Sequence, residues 1–213
     1  MANKVQESQT DLMVETKGKL ELFFDNYGNK ILWGLIGVAL VAVAVFVAIS
    51  IVDGANQKKE DAAQAALTVA ITTDAEVEAY VAVVEQYEGT NAANTAAYMV
   101  GAEYLKAGDL ENAKSYLAKY TDAEGIAGEV INSLVYMLRG DVAVEENDLQ
   151  TAEQMYVKAL ETNNDVYTYE RVANKLALTY AAMGNGEKAQ QTYKAMVAKY
   201  PELKSKYSKY IAE

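Results

Sequence analysis

The residues with chemistry to offer are few. Ser115 and Ser133 carry hydroxyls, Lys114 and Lys175 carry amines, and 30 carboxylates are spread over 213 residues, so a serine–lysine or paired-carboxylate site can be imagined. Histidine and cysteine are absent. Their absence removes the usual general base near neutral pH, the thiol nucleophile and the ligands that transition metals favour. No serine sits in a nucleophile elbow, and no glycine-rich loop is shaped to cradle phosphate. The acidic run at 145–148 lacks the ligand spacing of a calcium loop and reads as a solvated turn. The expectation is a protein that is not an enzyme, with no catalytic residue, no cofactor and no metal.

Charge narrows the partners. Lys and Arg total 19 against 30 acidic residues, for a formal charge of -11, and Arg139 and Arg171 are the only arginines. Phosphate neutralisation needs a basic surface, so nucleic acid is not an expected partner. With 51% hydrophobic residues the chain has enough apolar material for a core.

The elements that would position any functional residue are helices. Proline occurs once, at Pro201, and apolar residues recur at helical rather than alternating spacing. In "GAEYLKAGDLENAKSYLAKY", residues 101–120, Gly101, Tyr104, Ala113 and Leu117 flank a Gly108–Asp109 turn. A second copy has Gly140, Ala143, Ala152, Tyr156 and Ala159 around Asn147–Asp148. A third has Ala177, Tyr180, Ala189, Tyr193 and Met196, with a turn at 184–186. Small residues let paired helices cross closely while tyrosines fill the space beside them, which is the pattern of a tetratricopeptide repeat. Ala113, Ala152 and Ala189 lie 39 and 37 residues apart, longer than the ideal repeat of about 34, so extended helices or loops are expected near 125–128 and 163–165. A degenerate unit precedes them around Ala79. The final "PELKSKYSKYIAE" reads as an amphipathic capping helix with proline at its start.

Taking register from Gly101, Gly140 and Ala177, the first helix of each unit presents a concave face. Tyr98, Ala102 and Leu105 come from the first unit, Leu134, Met137, Asp141 and Val144 from the second, and Arg171, Asn174 and Leu178 from the third. Tyrosine, methionine and aliphatic groups with a few charges suit an extended or helical segment of another polypeptide. Tyr104, Tyr156, Tyr180 and Tyr193 are expected to pack.

Before the repeats lies "ILWGLIGVALVAVAVFVAISIV", residues 31–52, 22 residues without a charge. As a helix it would be about 33 Å long, enough to cross the hydrocarbon layer. Its length, and the 30 residues before it, favour an uncleaved anchor over a cleaved signal peptide. Tyr27 and Trp33 suit the entering interface, and charges from Asp53 to Asp61 close the span. Lys17, Lys19 and Lys30 against Lys58 and Lys59 lean toward a cytoplasmic amino terminus. Leu20, Leu22, Phe23 and Phe24 suit a short interfacial helix. Ala44 and Ala48 form a small-x-x-x-small pair, and Gly34 and Gly37 permit close approach, which leaves a homo-oligomer open. Three parts are therefore expected: a leader at 1–30, a transmembrane helix at 31–52, and an all-α repeat domain at 53–213 carrying 25 carboxylates against 15 lysines and arginines.

The order of parts resembles the YfgM-type family of bacterial inner-membrane proteins. The resemblance rests on "FFDNYGNK" before the span, a charged helix at about 57–71, and Thr95, Ala96, Ala97, Gly108, Asp109 and Ala113 at the opening of the first clear repeat. It implies an ancillary subunit of the SecYEG translocon, with a periplasmic repeat domain that meets chaperones, translocon subunits or exported polypeptides. The alternative expectation is a structural scaffold of an envelope complex that binds one stoichiometric partner.

Overall fold

A computed structural model describes residues 41–162 and 165–211, apart from the side chains of 126 and 127. The leader and the first ten residues of the expected span, with Tyr27, Trp33, Gly34, Gly37 and the interfacial segment 20–24, lie outside the described residues. The chain divides into two units, Met1–Gln57 and Lys58–Glu213.

In the first unit, residues 41–57 are helical and belong to α1 (Val41–Thr72), which by length and composition is long and apolar enough to cross a membrane. None of its most apolar stretch is buried, and Val41, Phe46 and Ile51 stand exposed.

The second unit is all helix and turn among the described residues. The end of α1 packs with α2 (Val77–Gln86) through Ala63, Leu67, Ala70, Tyr80 and Val83, which form one core with Ala92, Ala96 and Val100 of α3 (Asn91–Lys106). This is the degenerate first pair. Three further pairs follow: α3 with α4 (Leu110–Lys119), α5 (Gly125–Glu145) with α6 (Leu149–Thr162), and α7 (Val166–Ala182) with α8 (Gly186–Lys199). A 3-10 turn at Pro201–Leu203 leads into the cap α9 (Lys204–Ile211), which packs on α8.

The turns explain why the repeats keep step. Each first helix ends on a left-handed residue, Gly108 (φ 80°), Asn147 (φ 61°) or Gly184 (φ 76°), a conformation that glycine and asparagine adopt at least cost. The following N–H closes the helix by donating to a carbonyl five residues back: Asp109 to Tyr104, Asp148 to Ala143, and Asn185 to Tyr180. The same Asp109, Asp148 and Asn185 then cap the second helix, their side-chain oxygens accepting from the N–H of Asn112, Thr151 and Lys188 at 3.0–3.1 Å. Each such cap is worth about 1 kcal/mol.

The small residues sit at the crossings. A Cβ added to Gly101 would lie 2.6 Å from Leu117 Cγ, and one added to Gly140 would lie 2.5 Å from the Tyr156 ring. The long second repeat is accommodated by helix, because α5 runs for 21 residues. Its Gly128 fits closely against the Ala123 carbonyl, and Asn132 ties that loop down by donating to Ala123 and accepting from Ala123 N–H and Tyr120 OH.

Tyrosines tie helices to one another, both to the next helix and to the next but one. Tyr116 OH donates to Glu85, Tyr180 to Glu153, Tyr193 to Asn174 and Tyr207 to Glu170. Tyr156, Tyr180 and Tyr193 are buried, and Tyr104 is half-buried and stacks on Tyr116.

Candidate functional site

The first helices form an inner layer: α3 contacts α5 and α5 contacts α7, while each also packs on its own second helix. A helix surrounded in this way keeps one stripe open. On α5 the stripe is Leu134, Leu138, Asp141 and Glu145; on α7 it is Tyr167, Arg171, Lys175, Leu178 and Ala182; on α3 it is Asn94, Tyr98, Ala102 and Leu105. All three follow the spacing of one helical face.

Toward the C-terminal ends of these helices the stripes border a groove of about 750 Å³. Its walls are aliphatic, with Leu105, Leu110, Val144, Leu149, Leu178 and Ala182 among the lining residues. Val144 is 38% and Leu178 57% exposed. Asp141 joins the groove to the layer behind it. Lys175 Nζ lies 2.9 Å from Asp141 Oδ1, and Tyr156 OH donates to the same oxygen at 2.6 Å. Burial first, then the hydrogen bond and charge of Asp141, push the Tyr156 phenol far above its ordinary pKa, so it remains a donor. The other charged lining residues, Lys106 and Glu145, balance each other, and the groove offers apolar surface with little net charge.

Farther toward the N-terminal ends lie Tyr98 and Arg171. Tyr98 is half-buried in a cluster with Leu105, Ile131 and Leu138. Burial raises its pKa, and the positive charge of Arg171 opposes that rise. Arg171 itself is exposed and makes no ion pair among the described residues.

The expected binding residues therefore separate. Leu105, Val144 and Leu178 line one groove, with Asp141 at its base. Tyr98, Arg171 and the half-buried Leu134 lie along the same three stripes. Met137 is 1% exposed, in the core with Tyr136, Tyr156 and Val172, so it cannot meet a partner without unpacking. Asn174 accepts from Tyr193 OH at 2.9 Å and braces α7 to α8. Leu138 and Lys175 belong to the stripes and were missed, although Leu138 is four residues beyond Leu134 and Lys175 four beyond Arg171.

The imagined serine–lysine site does not assemble. Ser133 is buried and donates to the Ala159 carbonyl at 2.8 Å, Lys114 pairs with Glu146, and Lys175 with Asp141. No cluster of metal-ligating side chains is found among the described residues.

Comparison with known proteins agrees with this architecture. Residues 95–125 and 143–210 each match tetratricopeptide-repeat sequence profiles. The fold is similar to two solved structures of MamA. One, "Crystal structure of MamA protein", has a TM-score of 0.53 at 20% identity, covering 73% of this chain and 80% of that one. The other, "Crystal structure of MamA", has a TM-score of 0.51 at 22% identity, covering 65% of this chain and 74% of that one. At these identities the likeness is one of fold. No curated protein sequence matches the chain. The second unit is thus an all-α array containing tetratricopeptide repeats, an architecture that serves protein–protein interaction.

Proposed function

We propose that this protein is a single-span bacterial inner-membrane protein whose periplasmic repeat domain serves the Sec translocon and its chaperones by holding segments of other polypeptides. The observation that carries the reading is the groove lined by Leu105, Val144 and Leu178 from three successive first helices, of which Val144 and Leu178 stand exposed and Leu105 is half-buried. Aliphatic surface left in one concavity is a binding surface for a polypeptide, since each Å² it buries contributes about 25 cal/mol. The apolar stretch of α1 supports an anchor, and the YfgM-type resemblance of segment 95–113 supports the export setting.

The test is quantitative affinity capture from solubilised envelopes, comparing the natural chain with a V144E/L178E variant. The expected result is recovery of translocon subunits, chaperones and varied exported chains, with at least about tenfold loss in the variant. One abundant stoichiometric partner lost from the variant would identify a scaffold instead. An identical captured set for both proteins would overturn the groove as the binding surface. Protease protection in intact spheroplasts checks orientation, with the repeat domain cleaved from outside if it is periplasmic.

A further inference from the structure

At the amino-terminal end of the repeat unit, α1 and α2 leave a small apolar groove of about 270 Å³, walled by Ala66, Val69, Ala79 and Ala82. Val69 is 60% exposed and Ile71 beside it 50%. Just beyond lie Asp74, Glu76 and Glu78, exposed carboxylates with no ion pair among the described residues. Residues 60–105 contain eight Asp and Glu and neither Lys nor Arg.

The other end is its complement. Residues 188–210 contain six lysines and the single acidic residue Glu202. Lys194 and Lys204 are exposed and unpaired among the described residues. Tyr210, 42% exposed, is held by stacking on Tyr193 at 4.7 Å between ring centroids, with Lys209 Nζ 4.6 Å from its own ring. The cap thus offers a fixed aromatic ring among lysines, whose methylene stems can cover apolar surface while their charges meet carboxylates.

We propose that the α1–α2 groove receives the α9 end of a second copy of this chain, head to tail. The Tyr210 ring covers the Ala and Val walls, while Lys204 and Lys209 face Asp74, Glu76 and Glu78. Charge complementarity steers the approach and sets the register. An anionic lipid surface would use the lysines but leave the apolar groove and its acidic rim without a role. The contact is heterologous, so every pair keeps one free end of each kind and rows can extend.

The experiment is sedimentation velocity of the full chain in uncharged detergent. Association is expected to weaken at least about tenfold between low and high salt, as ions screen the paired ends. K204E/K209E and E76K/E78K are each expected to sediment as single copies, and their equimolar mixture to associate, because the two reversals restore opposite charges at the contact. Lysines in the first turn of α2 oppose the helix dipole. E76Q/E78Q therefore serves as the milder variant, with weakened association, and circular dichroism checks the fold of each. Association that persists in both reversed variants and at high salt belongs to another contact, such as the span, and would overturn the proposal. So would a natural chain that stays single while K204E/K209E abolishes its binding to anionic vesicles. V144E/L178E leaves this contact intact, so its outcome is separable from that of the polypeptide-binding groove.

Discussion

The crossings at Gly101 and Gly140 pair a glycine with one large side chain of the second helix, yet they close differently. At Gly101 the partner is Leu117, 1% exposed, and the contact is apolar. At Gly140 it is Tyr156, whose ring fills the same space while its hydroxyl reaches Asp141 and, through it, Lys175 on the next repeat. The first crossing only packs two helices. The second also places a hydrogen bond on the Asp141–Lys175 pair that lines the groove, so on the proposed function packing and binding would be coupled at this crossing and separate at the first.

Truncating the two partners should expose that difference most strongly. Tyr156→Ala is expected to lower unfolding free energy by about 3–5 kcal/mol and Leu117→Ala by about 2–5 kcal/mol, read by urea unfolding. At permissive temperature, capture of polypeptide should fall for Tyr156→Ala and survive for Leu117→Ala. Next in size is Gly140→Ala, where the new methyl meets a ring with no small adjustment open to it, at a cost of about 1–3 kcal/mol. Gly101→Ala should cost a similar amount, because the new methyl meets the buried Leu117 side chain at its branch point, 2.6 Å away.

Tyr156→Phe is finer. It keeps the ring and removes one hydrogen bond, for a loss of about 1 kcal/mol, while Lys175 still holds Asp141 in place. Capture should then stay near that of the natural chain, whereas Asp141→Ala leaves the Tyr156 hydroxyl without its acceptor and should weaken capture as well as stability.

Titration gives the smallest effects. Burial and the nearby Asp122 charge lift the Tyr120 pKa to about 12, and burial and Glu153 lift that of Tyr180 to about 12. Because these folded values are raised, their contribution is full below about pH 10, where unfolded tyrosine begins to ionise. It is lost as pH rises toward 12, which alkaline unfolding curves of Tyr→Phe variants can follow. On the acid side, hydrogen bonds from Lys188 and Tyr180 lower the Glu153 pKa, and those from Lys206 and Tyr207 lower that of Glu170. That contribution is present above about pH 4.3, the unfolded value, and fades as pH falls through the lower folded values. Tyr180 and Glu153 tie α7 to α6, so the third repeat should loosen at both extremes.

Local signals in the sequence carried much of this architecture. Gly or Asn followed by Asp or Asn marks each turn because one residue must be left-handed and the next must cap, a requirement confined to two neighbours. Small residues at 101 and 140 mark the crossings for the same local reason. The rotation of each helix about its axis was less legible. Gly140 fixes which side of α5 meets α6, but the angle covered by α7 depends on packing between repeats. Met137 lies about 40° from Asp141 around the helix, which was enough to bury it. Asn174 shows a similar limit: an amide on the inner helix reads as a contact for a partner, whereas its Oδ1 accepts from Tyr193 OH within the fold.

The most direct measurement of the central claim is a photo-crosslinking series in intact membranes, with the probe placed in turn at Leu105, Val144, Leu178, Met137 and Gln154. Capture of polypeptide at the three groove positions, with little at buried Met137 or at Gln154 on the exposed side of α6, is the predicted pattern. Equal capture at Gln154, or none at Leu178, would contradict it.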